Sequence, residues 1–489
     1  MKKNIRLIII CAVVLLILGG VLAFLLLTAP EEEEEEASSG NEVTTRLIYD
    51  KNPNDISKLT IENEHGSYEI RREGDSDNAS WTIEGISGLP VNAASFNSII
   101  ESAATLTAQQ TVVEEAEDIS IYGLAEPYAK VTSVFTDSAG TVNTLIIGNE
   151  VPNSTNRYFM LEGDPAVYTV SASDVRSFFN DKYYVINRTV YNARTAADEN
   201  DTTNYTRINK MTISRADLDR DVVIEYDIRL EDESIMSVNS SSYVMTEPVF
   251  RDLNPETSAD VMNGIFGLTA SDLGILHPND EDMEQCGINS PAAEVTAEIN
   301  GGDVLHFSIG NEYRDQEGNK QGRFVYVEGI DIIYIFEENS LPWLDFAPLR
   351  IVTSMITSNY IYDIESLDIT GENVDAHFAL TEIGDNKFAV KLDGSDTDDE
   401  LFKDLYQFIL RVPGEEFCFE ETDAEPALTI EIKTYKGGGD VIEFIPSDVR
   451  KMIVRLNGRS VYKCPSAYVD RLVQNIELYR NGQEPVENW

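Results

Sequence analysis

A rigid corner recurs along the chain, and this recurrence constrains the fold more than any other feature. The stretch DISIYGLAEPYAKV, residues 118 to 131, places Gly-Leu-x-x-Pro directly before alternating apolar residues. A near copy, EDMEQCGINSPAAEV, occupies residues 281 to 295. Gly permits a sharp turn and Pro fixes φ ahead of a strand. A chain that contains this corner twice is expected to repeat a whole domain.

The segments around the corner recur three times. Opening strands with the same apolar spacing begin at Ile56, Ile208 and Ile364. Each copy continues with two hairpins, because turn residues separate alternating strands. The turn of the second hairpin contains Gly163, Gly329 or Gly458. The third copy keeps only part of the corner, AEPALTIEI, and is therefore the divergent one.

A helix is predicted between the opening strands and the corner of each copy. The apolar spacing is helical in SFNSIIESAATL of the first copy and in DELFKDLYQFIL of the third. The second copy, SADVMNGIFGL, contains two glycines, each of which weakens a helix by up to about 1 kcal/mol. A short helix is also predicted to end each copy. The fold class is therefore α+β, with three repeated domains of antiparallel sheet and helices.

An uncharged apolar run from Leu7 to Thr28 precedes the repeats. At 1.5 Å rise per residue it is long enough to cross a hydrocarbon core of about 30 Å, which predicts an N-terminal transmembrane helix. Lys2, Lys3 and Arg6 precede the run, so the short N-terminus is expected in the cytoplasm and the rest outside. A cleaved signal peptide is the alternative, but the run exceeds the usual apolar region of such peptides.

These features divide the chain into six parts, whose length fits about three globular domains. They are the cytoplasmic N-terminus 1–6, the transmembrane anchor 7–28, the acidic linker 29–50, and the repeats 51–195, 196–350 and 351–489. The chain carries 37 basic and 86 acidic residues, a net charge of -49. Nucleic acid is excluded as a partner because its binding needs clustered Lys and Arg. Contact with the bilayer is expected only through residues 7–28.

The sequence assigns no catalytic, cofactor-binding or metal-binding residue. The histidines His65, His277, His306 and His377 lack ligand spacing. Motifs for a nucleophile elbow, a phosphate loop or a dinucleotide site are absent. The acidic loop from Asp393 to Leu401 could bind Ca²⁺, although it lacks the EF-hand order. The aromatic residues could form a sugar-binding face, but alternating strand positions favour a role in the core.

Three cysteines follow the apolar run. They are Cys286, Cys418 and Cys464, too few for a disulfide framework. Cys418 and Cys464 could pair, although buried free thiols are the commoner arrangement.

A family resemblance follows from the motifs of the first copy. Trp-Thr-Ile at Trp81, a helix, Asp-x-x-x-Tyr-Gly-Leu-x-x-Pro, Ile-Ile-Gly, Arg-Tyr-Phe and Val-Tyr together resemble the DUF4340 family, a domain of unknown function. The resemblance is best over 51–190, looser over 205–350 and partial beyond 360. It implies a membrane-anchored bacterial envelope protein that accompanies ABC-2 type export systems, including those linked to gliding motility. It supplies no catalytic residues.

The expected function is therefore a non-catalytic, extracytoplasmic binding or scaffold protein, accessory to a membrane transport system such as an ABC-2 type permease. Two other classes stay open: an extracellular hydrolase of wall polymers, and a receptor for a ligand or Ca²⁺. The hydrolase would need paired carboxylates in a cleft.

Overall fold

The computed structural model describes residues 45–74, 80–136, 139–193, 206–228, 241–384 and 387–488. These residues form two compact units. The first contains the chain up to Glu84 together with Ala93–Tyr184, and the second contains Gly85–Asn92 together with the chain from Val185 onward. The predicted anchor, 7–28, lies outside the described residues. Within them, no helix combines the length and apolar character that a membrane span requires.

The first unit contains the first repeat. Its elements are β1 (Arg46–Asp50), β2 (Ile56–Asn63), β3 (Gly66–Glu73), β4 (Ser80–Ile83), α1 (Ala93–Ala104), β5 (Thr105–Ala108), β6 (Gln110–Val113), β7 (Ala129–Phe135), β8 (Val142–Glu150), β9 (Arg157–Leu161), β10 (Val167–Val170) and α2 (Ala172–Val175). The main sheet has the order β4-β3-β2-β7-β8-β9-β10-β6, and β1 pairs separately with β5.

The second unit contains the second and third repeats. The second repeat consists of β11 (Ile208–Arg215), β12 (Val222–Tyr226), β13 (Tyr243–Glu247), β14 (Arg251–Asp252), α3 (Ala259–Asn263), β15 (Asp272–Leu276), α4 (Asp280–Gln285), β16 (Ala293–Ile299), β17 (Val304–Arg314), β18 (Lys320–Val327), β19 (Ile332–Phe336) and α5 (Pro348–Ile351). The third consists of β20 (Ile364–Gly371), β21 (Val374–Glu382), β22 (Phe388–Leu392), β23 (Ser395–Thr397), α6 (Asp399–Leu410), β24 (Glu416–Phe417), β25 (Leu428–Thr434), β26 (Gly439–Pro446), β27 (Lys451–Leu456), β28 (Arg459–Pro465) and α7 (Ser466–Arg480).

The three sheets share one strand order. The second sheet runs β14-β13-β12-β11-β16-β17-β18-β19-β15, and the third runs β23-β22-β21-β20-β25-β26-β27-β28-β24. The first sheet has the same order without one edge strand. Pro127, Pro291 and Pro426 each stand two residues before the equivalent strands β7, β16 and β25. The predicted α+β class and its repetition are confirmed.

The helices follow the sequence pattern to different degrees. In α6 the apolar face, including Phe402 and Leu405, is buried against the third sheet. The carboxylate of Asp398 caps this helix by accepting from the amides of Glu400 and Leu401. Between β14 and β15 the second repeat has only the short α3, whose C-cap is Gly264, as its two glycines predict. The terminal helix is one turn in the first repeat but extends over Ser466–Arg480 in the third.

Candidate functional site

In the first repeat, two glycines allow the corner to touch its own sheet. Gly123 adopts φ 71° in the left-handed region. Gly148, at the end of the buried part of β8, lies beneath the corner, and a Cβ there would stand 2.2 Å from the carbonyl oxygen of Tyr122. A Cβ on Gly123 would stand 2.5 Å from the side chain of Asn149. At Gly148 the collision is with backbone, so no larger residue fits there while the corner stays in place, whereas Gly123 is favoured mainly by its left-handed φ.

The second repeat builds the corner in the same way. Gly287 has φ 72°, and a Cβ on Gly310 would stand 2.1 Å from the carbonyl oxygen of Cys286. The side-chain amide of Asn311 donates to the carbonyl of Gln285 at 3.0 Å. The motif residues of the corner therefore have a structural role in both repeats.

An arginine on the adjoining strand completes each corner. Arg157 Nη1 donates to the carbonyl of Gly148 at 3.1 Å, and Arg323 Nη1 donates to the carbonyl of Gly310 at 3.1 Å. Arg157 also stacks on Tyr128, with its guanidinium carbon 4.1 Å from the ring centroid. Because each glycine carbonyl receives a charged donor, the arginine strand is held to the glycine strand beneath the corner.

The third repeat differs at all of these positions. Strand pairing aligns Ala129 with Ile147, Ala293 with Ile309, and Leu428 with Phe444. Ile445 therefore stands where the first two repeats have a glycine, and the pairing of β27 places Met452 where they have an arginine. Ile445 is fully buried in a small cluster with Cys418 and Ile453. An apolar cluster thus occupies the place of the corner.

The segment that replaces the corner lines a cleft, which we call the inter-repeat cleft. It lies within the second unit, between the second and third sheets, and has a volume of about 580 Å³. Its walls include Arg220 before β12, Pro248 and Phe250 between β13 and β14, Cys418 and Phe419 of the replaced corner, and Arg459 at the β27–β28 turn.

The cleft presents aromatic surface and guanidinium groups. The residues Phe250 and Phe419 are 41% and 38% exposed. The guanidinium carbon of Arg220 lies 4.4 Å from the centroid of Phe419, which is within cation–π range. Arg459 adds a second guanidinium, and two carboxylates, those of Glu247 and Glu421, also line the cleft.

The two cleft arginines differ from the basic residues beside them. In the strands next to Arg459, Lys451, Arg455 and Lys463 each contact a carboxylate. The partners are Glu416 at 2.8 Å, Glu443 at 2.7 Å and Glu420 at 2.6 Å. Within the part of the chain that the structure describes, Arg220 and Arg459 make no ion pair.

Buried Arg251 holds the linker between the second and third repeats beside β14. It is 4% exposed, and it donates to the carbonyls of Ile356 at 2.9 Å, Thr353 at 3.4 Å and Met355. The amide of Thr353 in turn donates to the carbonyl of Asp252 at 2.9 Å. The linker between the repeats therefore runs beside β14 as an ordered segment.

The polar groups of the cleft are poorly placed for nucleophilic chemistry. Burial raises the pKa of the Cys418 thiol, which disfavours the thiolate. The hydroxyl of Ser460 donates to the carbonyl of Glu420 at 2.7 Å. Among the described residues, the cleft lining contains no histidine that could act as a base for either group.

The histidines considered from sequence lie apart, each beside its own neighbour. His277 Nδ1 lies 2.5 Å from a carboxylate oxygen of Asp331, and His306 Nδ1 lies 2.8 Å from the hydroxyl of Thr296. His377 contacts Asp368. No group of three or more His, Cys, Asp or Glu that could hold a metal ion occurs within the described ranges.

The carboxylates of the acidic loop from Asp393 to Leu401 form hydrogen bonds and ion pairs with nearby residues of the third repeat. Asp393 accepts from the amide of His377 at 3.0 Å and lies 3.3 Å from Arg480. Asp398 caps α6, and Asp399 lies 3.7 Å from Lys403. The three described cysteines are buried and free, so Cys418 and Cys464 do not pair.

Sequence reasoning did not identify the inter-repeat cleft. One signal was present, because the third repeat loses its corner and places Arg459 directly after the turn glycine. The first two repeats have Asp164 and Ile330 at that position. The walls come from segments separated by about two hundred residues, and only the fold brings them together.

Comparison with known proteins gives one family. A family model described as a domain of unknown function (DUF4340) matches residues 81–274. The match runs from β4 of the first repeat to β15 of the second, so the third repeat lies beyond it. No curated protein and no solved structure matches.

Proposed function

Because residues 81–274 belong to the DUF4340 family, we propose that this chain is a non-catalytic, membrane-anchored binding or scaffold protein. Its partner is a membrane protein, of the ABC-type permease class that the family resemblance implies. The observation that carries the proposal is the inter-repeat cleft, which is built where the third repeat departs from the other two.

The composition of the cleft favours protein recognition. Aromatic residues and arginine are enriched at the energetically dominant positions of protein interfaces. Phe250, Phe419, Arg220 and Arg459 supply both kinds of group in one concave surface. The ordered linker and buried Arg251 support a preformed site, which reduces the entropy lost on binding.

Photo-crosslinking in intact cells tests the proposal. A photoreactive phenylalanine at position 419 should give an adduct with a membrane protein, because this side chain faces the cleft. The matched control carries the same group at Ile383, which is 62% exposed in the third repeat and outside the cleft. Equal adducts from both positions, or none, would reject the cleft as the partner site. Turnover of a wall polymer by the purified full chain would favour the hydrolase instead.

The anchor has a separate test. An impermeant thiol reagent applied to intact cells should label an engineered cysteine at Ser39 but not one at Asn4, because the basic flank stays inside. The opposite labelling pattern, or release of the chain from the membrane, would reject the anchor without affecting the cleft.

A further inference from the structure

The arginines that line the inter-repeat cleft indicate more about its occupant than the carboxylates do. Acidic residues outnumber basic ones, 86 to 37, so a glutamate without a basic partner is expected on this surface. An arginine without a carboxylate is informative only through its position, because exposed Arg350 and Arg450 also make no ion pair among the described residues. Two such arginines, Arg220 and Arg459, line one cleft, whereas Lys451, Arg455 and Lys463 beside it are all paired.

The geometry points to one occupant, and this inference rests on the proposed function. We infer that the cleft binds a short protein segment in which an apolar side chain adjoins a carboxylate, as in Phe-Asp or Leu-Glu. The apolar side chain contacts Phe250 and Phe419. The carboxylate is bound by Arg220 and Arg459.

The arrangement of Arg220 favours a carboxylate over a second aromatic group. One face of its guanidinium is occupied by the Phe419 ring at 4.4 Å, which restricts its rotation. Its N–H groups lie in the guanidinium plane, the geometry that receives both oxygens of a carboxylate. The stack also joins the two walls, because Arg220 belongs to the second repeat and Phe419 to the third.

The volume sets the size of the segment. A cavity of about 580 Å³ lies in the range of small-ligand sites, so a few residues fill it rather than a folded domain. Affinity from such a short segment is modest, and membrane anchoring of both proteins raises the effective concentration.

Peptide selection tests the inference on the full-length chain in mild detergent. A displayed library of random heptapeptides is panned on the wild-type chain after depletion on the Arg220→Glu, Arg459→Glu double variant. We expect enrichment of peptides that combine Phe or Leu with an adjacent Asp or Glu. An enriched peptide should bind about tenfold more weakly to each single reversal, the effect of losing one charged hydrogen bond.

Two further variants keep the test decisive if a reversal perturbs folding. Glu247→Lys adds a base to the cleft and should strengthen binding of the acidic peptides. Arg450→Glu is the matched control, because Arg450 is exposed in the third repeat and does not line the cleft.

Enrichment of Lys- or Arg-rich peptides, or of peptides that bind the double variant equally, would overturn the inference. The same holds if no sequence is enriched. A cleft-specific crosslink at position 419 would still support the proposed function in each of these cases, so the two failures are distinguishable.

Discussion

The corner of the first two repeats and the equivalent place in the third differ by a linked set of residues. The first two have a corner glycine, a strand glycine and an arginine, whereas the third has Ile445 and Met452 at the strand positions. These changes depend on one another, because a side chain at Gly310 would collide with the Cys286 carbonyl at 2.1 Å. Loss of the corner therefore removes the constraint on the strand.

The difference also suggests how a repeated fold acquires a site. In the first two repeats the segment before the Pro forms a rigid corner. In the third repeat the equivalent segment lines the inter-repeat cleft, through Cys418 and Phe419. The strand order does not change. A site can therefore arise in one copy without loss of the fold, as is usual where loops are carried by a stable sheet.

The largest effect on stability is expected when the isoleucine of the third repeat replaces the strand glycine of the second. Gly310→Ile should lower the unfolding free energy of the second repeat by about 3 kcal/mol, because the collision is with backbone that cannot easily move. Urea unfolding followed by the fluorescence of Trp343 measures this, since Trp343 is fully buried in that repeat. Phe replacements at Trp81 and Trp489 remove the other two tryptophans.

The matched control is Ile445→Val in the third repeat. It should cost only about 1 kcal/mol of unfolding free energy, the effect of deleting one buried methylene, measured by circular dichroism because Trp343 lies in the second repeat. A tolerated Gly310→Ile would show that the corner does not depend on the strand glycine.

The next largest effect concerns the linker between the second and third repeats, which Arg251 holds in place. Arg251→Met should lower the local stability of the linker by about 2 kcal/mol, because the carbonyls of Thr353, Met355 and Ile356 lose their donor. Hydrogen exchange of the peptide covering residues 351–357 should accelerate. Arg350→Met, an exposed neighbour, should leave that exchange unchanged. Unchanged exchange in Arg251→Met would mean that the linker is held by its other contacts.

A smaller effect is expected when the corner arginine is replaced by its third-repeat counterpart. Arg323→Met should destabilise the second repeat by about 1.5 kcal/mol, because the Gly310 carbonyl loses a charged donor. Trp343 fluorescence again reports the change. Met452→Leu in the third repeat, followed by circular dichroism, is the control and should have almost no effect on unfolding. Equal stability of Arg323→Met and the wild type would show that the stability of the corner does not depend on Arg323.

Local sequence signals predicted the repeated architecture well. Gly123, Gly287 and the prolines that follow them fix a turn ahead of a strand, and this information lies within a few residues. The helix at Asp399–Leu410 was predictable for the same reason, since its apolar spacing and its Asp398 cap are local. These features recur wherever the same local chemistry recurs.

Non-local features could not be predicted in this way. The strands β6, β15 and β24 close the far edge of each sheet, but they are short and carry little alternation, so their pairing depends on the sheet that they join. The inter-repeat cleft depends on contacts between Arg220 and Phe419, far apart in sequence. The spacing of residues along the chain does not predict such a contact.

The smallest expected effect is a pH dependence confined to the second repeat. Glu338 contacts Lys320 and lies 3.2 Å from Arg323, the corner arginine. These hydrogen bonds, above all the one from Lys320, hold the pKa of the Glu338 carboxyl below its ordinary value of 4.5. A carboxyl with a lowered pKa in the folded state stabilises the fold above that ordinary value and loses the contribution as pH falls below it.

Stability of the second repeat should therefore decline below pH 4.5 more steeply in the wild type than in Glu338→Gln. The difference is small because Glu338 is 41% exposed and solvent screens its charge. Urea midpoints from Trp343 fluorescence at pH 6 and at successively lower pH measure it, and Glu328→Gln, an exposed neighbour, is the control.

Parallel declines in all three proteins would exclude Glu338 as a source of the pH dependence. A decline that is weakened in Glu338→Gln, and to a smaller extent in Arg323→Met, would connect this carboxylate to the corner, since Arg323 contacts both Glu338 and the Gly310 carbonyl. The third repeat, with Met452 at that position, has no such link and should lack this component.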